Sequence, residues 1–269
     1  MSADELKIRS DLYEALARQQ FSLHYQPQIE VATGHFLGVE SLIRWQHPKL
    51  GWISPAQFIP IAEQTGLIIN IGYWVLTQAC TQYQNWMRQG IPPFKLSVNL
   101  SARQLQQPDL VERIRQILLA TGMEPRYLEL EITESYKLFD LNTAIATLKN
   151  LHQLGIKIAI DDFGIGYSSL SFLKTFPVNT LKIDKSFLED LITTSKSWIV
   201  LQNIIELGHK LNLKIVAEGV ENDEQFNTLK KMKCDCIQGY FISRPLNLEE
   251  ITQFFHQKQK VFQNAIAIS

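Results

Sequence analysis

No stretch of this 269-residue chain approaches the ~18 consecutive apolar residues of a membrane span, and Met1–Ser10 is charged where a secretory leader is apolar. Cysteine is scarce: Cys80, Cys234 and Cys236 are the whole complement, an odd number. Cys234 and Cys236 share one side of an expected strand and lack further zinc-type ligands nearby. Both a disulfide framework and a zinc site are therefore set aside, and the cysteines read as reduced core residues. Neither sign of charge dominates. With 26 basic against 27 acidic residues the formal net charge is −1, which leaves no electrostatic footprint for bulk nucleic acid or an anionic membrane. An anionic substrate then needs local help, such as metal ions. The expected compartment is the cytoplasm. What the chain does have is apolar content, 45% of residues, enough to bury a full core. Low-complexity linkers and solenoid repeats are missing, so that core is read as one domain.

The pattern opens with an amphipathic helix over Asp4–Gln20, with Leu6, Leu12, Ala15 and Leu16 at helical spacing. Phe21–Val31 and His35–Trp45 are strand-like, and only Ala32-Thr33-Gly34 separates them. So short a link permits only a hairpin, so the first two strands are expected to be antiparallel. Helix follows from Ser54-Pro55 to about Thr65 and again over Ile69–Gln89. The pattern then alternates. Strands are expected at Lys95–Leu100, Tyr127–Thr133, Lys157–Asp162, Thr180–Asp184, Lys214–Glu218 and Cys236–Tyr240. Helices are expected near Pro108–Thr121, Leu141–Leu154, Ser168–Thr175, Ser195–Leu211, Asn222–Lys233 and Leu248–Gln259. About eight strands alternating with helices argue an α/β fold, a TIM-type (β/α)8 barrel modified by an antiparallel first strand.

Within that frame KIAIDDFGIGYSS, Lys157–Ser169, stands out. An apolar run without alternation, as in a strand covered on both faces, ends in the adjacent carboxylates Asp161 and Asp162. Such a pair also suits a helix cap, and the other strands decide between the readings. Glu40, Asn99, Glu131, Lys182, Glu218 and Gln238 are polar residues within expected strands, most of them near the carboxyl end, where barrels of this class hold their active sites. Alternation turns Glu129 and Glu131 inward, and puts Glu40, Leu42 and Arg44 on one face of their strand. Lys182 and Arg44 supply two positive charges, too few for the acids present. Hard divalent cations with oxygen ligands close the balance. Asp161 and Asp162 side by side can serve two ions about 3.5–4 Å apart, the spacing of two-metal phosphodiester hydrolysis. The glycines Gly164 and Gly166 do not make a dinucleotide site, since Ser169 replaces the third glycine and two aspartates precede it. His47 is read as structural, and His152 and His209 as helix residues without function.

At these residues the chain resembles an EAL domain, the family of cyclic di-GMP phosphodiesterases, from about Phe21 to Leu246. ESLIR at Glu40–Arg44 stands for the family signature. YQPQ (Tyr25–Gln28), SVNLS (Ser97–Ser101), EITES (Glu131–Ser135), DDFGIGYSSL (Asp161–Leu170), LKIDKSF (Leu181–Phe187), AEGVE (Ala217–Glu221) and QGYFISRP (Gln238–Pro245) follow in family order. The resemblance implies hydrolysis of cyclic di-GMP to linear pGpG with two magnesium or manganese ions. Glu40, Asn99, Glu131 and Asp161 would hold one ion, and Asp161, Asp162 and Glu218 the other. Lys182 would position the attacking water, with Glu218, Glu134, Glu221 and Gln238 in supporting roles. Gln26, Leu42, Arg44 and Asp162 would contact substrate. The resemblance further implies a homodimer and a sensor or GGDEF domain upstream, with residues 1–20 as linker helix and 21–260 as the barrel. Whether the chain stands alone or is part of a longer protein is left open. Two positions depart from the family pattern. Ser41 replaces Ala or Val on the helix-facing side, with little effect expected, and Ile165 replaces Thr or Ala in the Asp-Asp loop, where it bears on rate. The alternatives are a weakly active cyclic di-GMP receptor, against which the intact Glu40, Asn99 and Lys182 speak, and a Schiff-base aldolase. Carboxylates around Lys182 raise its pKa, the wrong direction for a nucleophilic amine.

Overall fold

The computed structural model describes residues 3–133, 141–164, 173–189 and 195–266. Helix α1 (Ala3–Ala15) comes first and is shorter than its apolar spacing suggests. It ends before Gln19, which takes a left-handed φ of 53°. Strands β1 (Phe21–Glu30) and β2 (Phe36–His47) form the expected hairpin, with Gln26 opposite Glu40. An unforeseen short strand, β3 (Gly51–Ile53), folds back on the end of β2. Helices α2 (Pro55–Thr65) and α3 (Ile68–Arg88) follow, Pro55 filling the first turn where no N–H is needed. Gly66, at φ 80°, makes the left-handed link between them.

The alternating part runs β4 (Lys95–Asn99), α4 (Ala102–Leu105), α5 (Leu110–Thr121), β5 (Leu128–Thr133), α6 (Leu141–Gln153), β6 (Lys157–Phe163) and β7 (Thr180–Ile183). It continues through α7 (Ser186–Glu189), α8 (Ser195–Lys210), β8 (Lys214–Ala217), α9 (Asp223–Lys231), β9 (Cys236–Gln238) and α10 (Leu248–Ile266). The helix expected at Ser168–Thr175 falls outside the described residues except at 173–175, which are helical. Five strands end one or two residues earlier than their sequence suggests, β1 and β4 among them. Asp184, Glu218 and Tyr240 stand just past β7, β8 and β9, where chains leave the ladder toward the barrel mouth. Cys234 likewise lies before β9 rather than within it, and all three cysteines are free and buried.

Eight strands close into a barrel in the order β1-β9-β8-β7-β6-β5-β4-β2, with β1 pairing back onto β2. β1 is antiparallel to both neighbours, and the other barrel neighbours run parallel. Close approach of β2 to β4 depends on Gly38, since a Cβ there would lie 2.3 Å from the Lys95 carbonyl oxygen. Outward residues such as Val39, Leu96, Leu130, Ile158, Leu181 and Ile215 are fully covered by the helices. Trp86, Phe94 and Phe255 form one aromatic cluster under α3 and α10.

Helix α1 is docked on the barrel. Ile8, Leu12 and Ala15 join the common core. His47 Nδ1 accepts the N–H groups of Lys49 and Leu50 at 3.1 and 3.0 Å, so Nε2 carries the proton and donates to Asp11 Oδ2 at 2.8 Å. His47 is thus a structural tie. Leu130, wholly buried between barrel and helices, gives a direct measure of that layer. Leu130→Ala is expected to cost about 2–5 kcal/mol, read from the urea midpoint, because the strand cannot collapse into the void. A loss below about 1 kcal/mol would contradict this packing.

Candidate metal centre

The inward faces carry the polar residues. Lys182, on β7 and 1% exposed, points its ammonium at four carboxylates: Glu131 at 2.6 Å, Glu218 at 2.7 Å, Asp161 at 3.0 Å and Glu40 at 3.3 Å. An ammonium has three protons, so four acids cannot all be served well. Half-buried Arg44 donates Nη1 to the Ile43 carbonyl at 2.9 Å and also feels the charge of Glu40. Glu129, one inward step below Glu131, is answered separately. Lys95 Nζ at 2.5 Å, Ser97 Oγ at 3.0 Å and Thr180 Oγ1 at 2.6 Å all donate to it.

Adjacent residues of a strand normally face opposite ways, yet Asp161 and Asp162 serve one site. The β6–β7 ladder explains it. Ile160 pairs with Leu181 and Phe163 with Ile183, so two aspartates stand against the single Lys182. This is a bulge, and Asp162 takes a left-handed φ of 54° within it. Aspartate is among the few non-glycine residues that tolerate this region. Two overlapping groups result: Glu40, Glu131 and Asp161, and then Asp161, Asp162 and Glu218, with carboxylate oxygens within 4.8 Å of one another in each.

A chain of amides grips the first group from the side. Gln28 Nε2 donates to Gln238 Oε1 at 2.7 Å. Gln238 Nε2 donates to Glu40 Oε2 at 2.6 Å and to Gln26 Oε1 at 3.0 Å. Asn99 Nδ2 donates to Glu40 Oε1 at 2.7 Å. Gln28 was not singled out from sequence, although its spacing of two from Gln26 on β1 places both on one face. Leu42, Glu221, Asp184, Lys185 and Tyr240 line a cleft of about 380 Å³ above the cluster. Arg244 stacks its guanidinium 4.4 Å from the Tyr240 ring centre. Glu134 and Ile165 lie outside the described residues.

The electrostatics follow from these contacts. Burial pushes Glu131 well up, with Glu40 and Asp161 adding to it and Lys182 opposing. Burial raises Asp161 too, against the pull of Lys182. For Glu40 burial is outweighed by Lys182 and by the bonds from Gln238 and Asn99, and its pKa is held low. Burial lifts Glu218 to about 8 and Asp162 to about 6. Lys182 is pushed up, its four acids overcoming burial. Glu131 Oε1 is buried with no hydrogen-bond partner among the described residues. An oxygen-only donor set with surplus negative charge and an unused buried oxygen fits hard divalent cations.

A pH dependence follows. Asp162 and Glu218 hold protons in the native state that the unfolded chain has already released, so they lower stability as pH rises toward their folded values. Glu40 and Glu129, held low, act only in acid, and Lys182 only far into base. In chelator, the urea midpoint is expected to fall between pH 5 and pH 8, and magnesium to flatten that slope. Glu218→Gln should shrink its upper part, to which the raised Glu131 also contributes. A midpoint that rises over this range in chelator would contradict the carboxylate assignment.

The EAL domain model matches residues 9–245. The bifunctional diguanylate cyclase/cyclic di-GMP phosphodiesterase MucR of Pseudomonas aeruginosa is 44% identical over 248 residues, covering 92% of this chain and 36% of MucR. The cyclic di-GMP phosphodiesterase NbdA of the same organism is 38% identical over 253 residues, covering 94% and 32%. The chain thus spans about a third of the length of these relatives. Among solved structures, the PaMucR phosphodiesterase in complex with c-di-GMP superposes with TM-score 0.86 at 44% identity, covering 91% of this chain and 99% of that one. Barrel topology, acidic mouth and sequence agree, and the chain belongs to the EAL domain family.

Proposed function

We propose that this chain is a cyclic di-GMP phosphodiesterase that opens its substrate to linear pGpG with two magnesium or manganese ions. The observation that carries this reading is the pair of carboxylate groups sharing Asp161 around Lys182 at the barrel mouth. Glu40, Asn99, Glu131 and Asp161 would hold one ion, and Asp161, Asp162 and Glu218 the other. Bound metal would supply an activated water and neutralise charge on the phosphate. The chain's own part is positioning. Lys182 Nζ, already central, orients the water and offers charge to the reacting phosphate. Glu218, ionised once metal is bound, would assist as a base toward that water. Gln238 fixes Glu40, and Glu221 and Glu134 would steady the surrounding loops. Gln26, Leu42, Arg44 and Asp162 would meet the substrate along the cleft.

The assembly is read the same way. No helix among the described residues is long and apolar enough to cross a membrane, in keeping with a cytoplasmic enzyme. Trp198, Ile199 and Val200 of α8 are each about half exposed, in keeping with a homodimer. The greater length of the relatives supports an upstream sensor or GGDEF domain.

The test is hydrolysis of cyclic di-GMP in magnesium, manganese or chelator. Activity is expected with either metal and lost in chelator, and undiminished turnover in chelator would sink the proposal. Glu40→Ala should abolish turnover while leaving the circular dichroism of the barrel unchanged. Lys182→Ala should lower kcat by about 10²–10³-fold with little change in KM. Equal loss in both would move Lys182 from water to substrate.

A further inference from the structure

The amide chain beside Glu40 has one end in the acidic cluster and the other deep in the barrel, at Gln28. Its orientation is fixed link by link. Gln26 Nε2 donates to the Ser243 carbonyl at 3.2 Å, which can only accept, so Gln26 Oε1 is the atom turned toward Gln238. Gln238 Nε2 then spends its two protons on Gln26 Oε1 at 3.0 Å and Glu40 Oε2 at 2.6 Å. That leaves Gln238 Oε1 to be met from the other side, and Gln28 Nε2 meets it at 2.7 Å.

Gln28 is an unusual residue for its place. It is 0% exposed, and its own Oε1 has no hydrogen-bond partner among the described residues. The inward positions one step below Glu40, Glu131 and Lys182 are Ser97, Ala159 and Val216, all small or apolar and fully covered. An apolar side chain of similar length would fill the space of Gln28 without an unanswered acceptor, and such an acceptor is costly to bury. The amide is accounted for by what its other atom does.

We infer that Gln28 is a positioning residue for the ion held by Glu40: its Nε2–H anchors the Gln238 carbonyl, and Gln238 in turn holds the Glu40 carboxylate in the place the ion requires. A ligand ordered before the ion arrives gives up less freedom on binding it. Hydrogen bonds in such a chain also polarise one another, so charge drawn from Glu40 by a cation is felt at Gln28, which touches no carboxylate itself. The inference rests on the two-ion reading of the site and is independent of the substrate.

Gln28→Met keeps the length of the side chain and removes the donor and the unanswered oxygen together. Magnesium is titrated calorimetrically into both proteins without substrate, and Glu40→Ala marks the binding step that belongs to Glu40. That step is expected to weaken about fivefold in Gln28→Met, the worth of one hydrogen bond. The urea midpoint in chelator should stay unchanged, because the Gln238 oxygen left without a donor replaces the Gln28 oxygen that had none. In the unmodified protein labelled with nitrogen-15 at glutamine side chains, magnesium should move the Gln28 amide resonances saturably, in step with the heat of binding. Equal affinity in the two proteins, a lowered midpoint with unchanged affinity, or Gln28 resonances that ignore magnesium would each overturn the inference while leaving the metal centre intact. An unmodified protein that binds neither magnesium nor manganese would overturn the two-ion reading and this inference with it. The resonance experiment needs only the unmodified protein, so it decides the matter even where the variant fails to fold.

Discussion

One buried ammonium shared by four carboxylates is the constraint on which the mouth of this barrel depends. Lys182 stands at the meeting point of both acidic groups, and its single positive charge cannot neutralise the carboxylates that surround it. Removing charged groups from water costs several kcal/mol each unless they are paired. Burial and mutual repulsion accordingly push Glu131, Asp161 and Glu218 up against the pull of Lys182. Such a centre is held under electrostatic tension by a rigid frame, and incoming cations relieve it.

The frame supplies that rigidity in two ways. Parallel strands place one inward residue each at the mouth, so Glu40, Asn99, Glu131 and Lys182 arrive from four different strands with no loop to blur their positions. The β6 bulge then adds what regular strands cannot, two consecutive acids on one side. Its cost is a left-handed backbone at Asp162, a local strain of the kind that persists at working sites because the surroundings over-determine it.

Much of this was legible in the sequence. Strand ends carrying Glu40, Asn99, Glu131 and the Asp161-Asp162 pair against apolar neighbours marked the mouth, and the three-residue link after Val31 marked the antiparallel start. Less visible were features set by tertiary contact. The bulge is a register effect, and no local pattern separates it from a regular strand. Arg44, sharing a face with Glu40, does feel its charge, but its guanidinium bonds the backbone of β2. Lys95 and Glu129 looked unremarkable singly, and become a pair only because β4 and β5 lie side by side in register. Gln28 was hidden by the ordinariness of glutamine, although its period-two spacing from Gln26 was there to be read.

The reversed direction of β1 has a geometrical consequence for how force enters the molecule. In a barrel whose strands all run one way, the first strand begins at the end opposite the mouth. Here β1 begins beside Arg44 and Trp45, level with the acidic residues, and α1 is pinned there by Asp11 and His47. The helix is thus hinged to the working rim, with the five residues after Ala15 as its only slack. The covalent path from that rim to the residue paired with Glu40 is the first six residues of β1, Phe21 to Gln26.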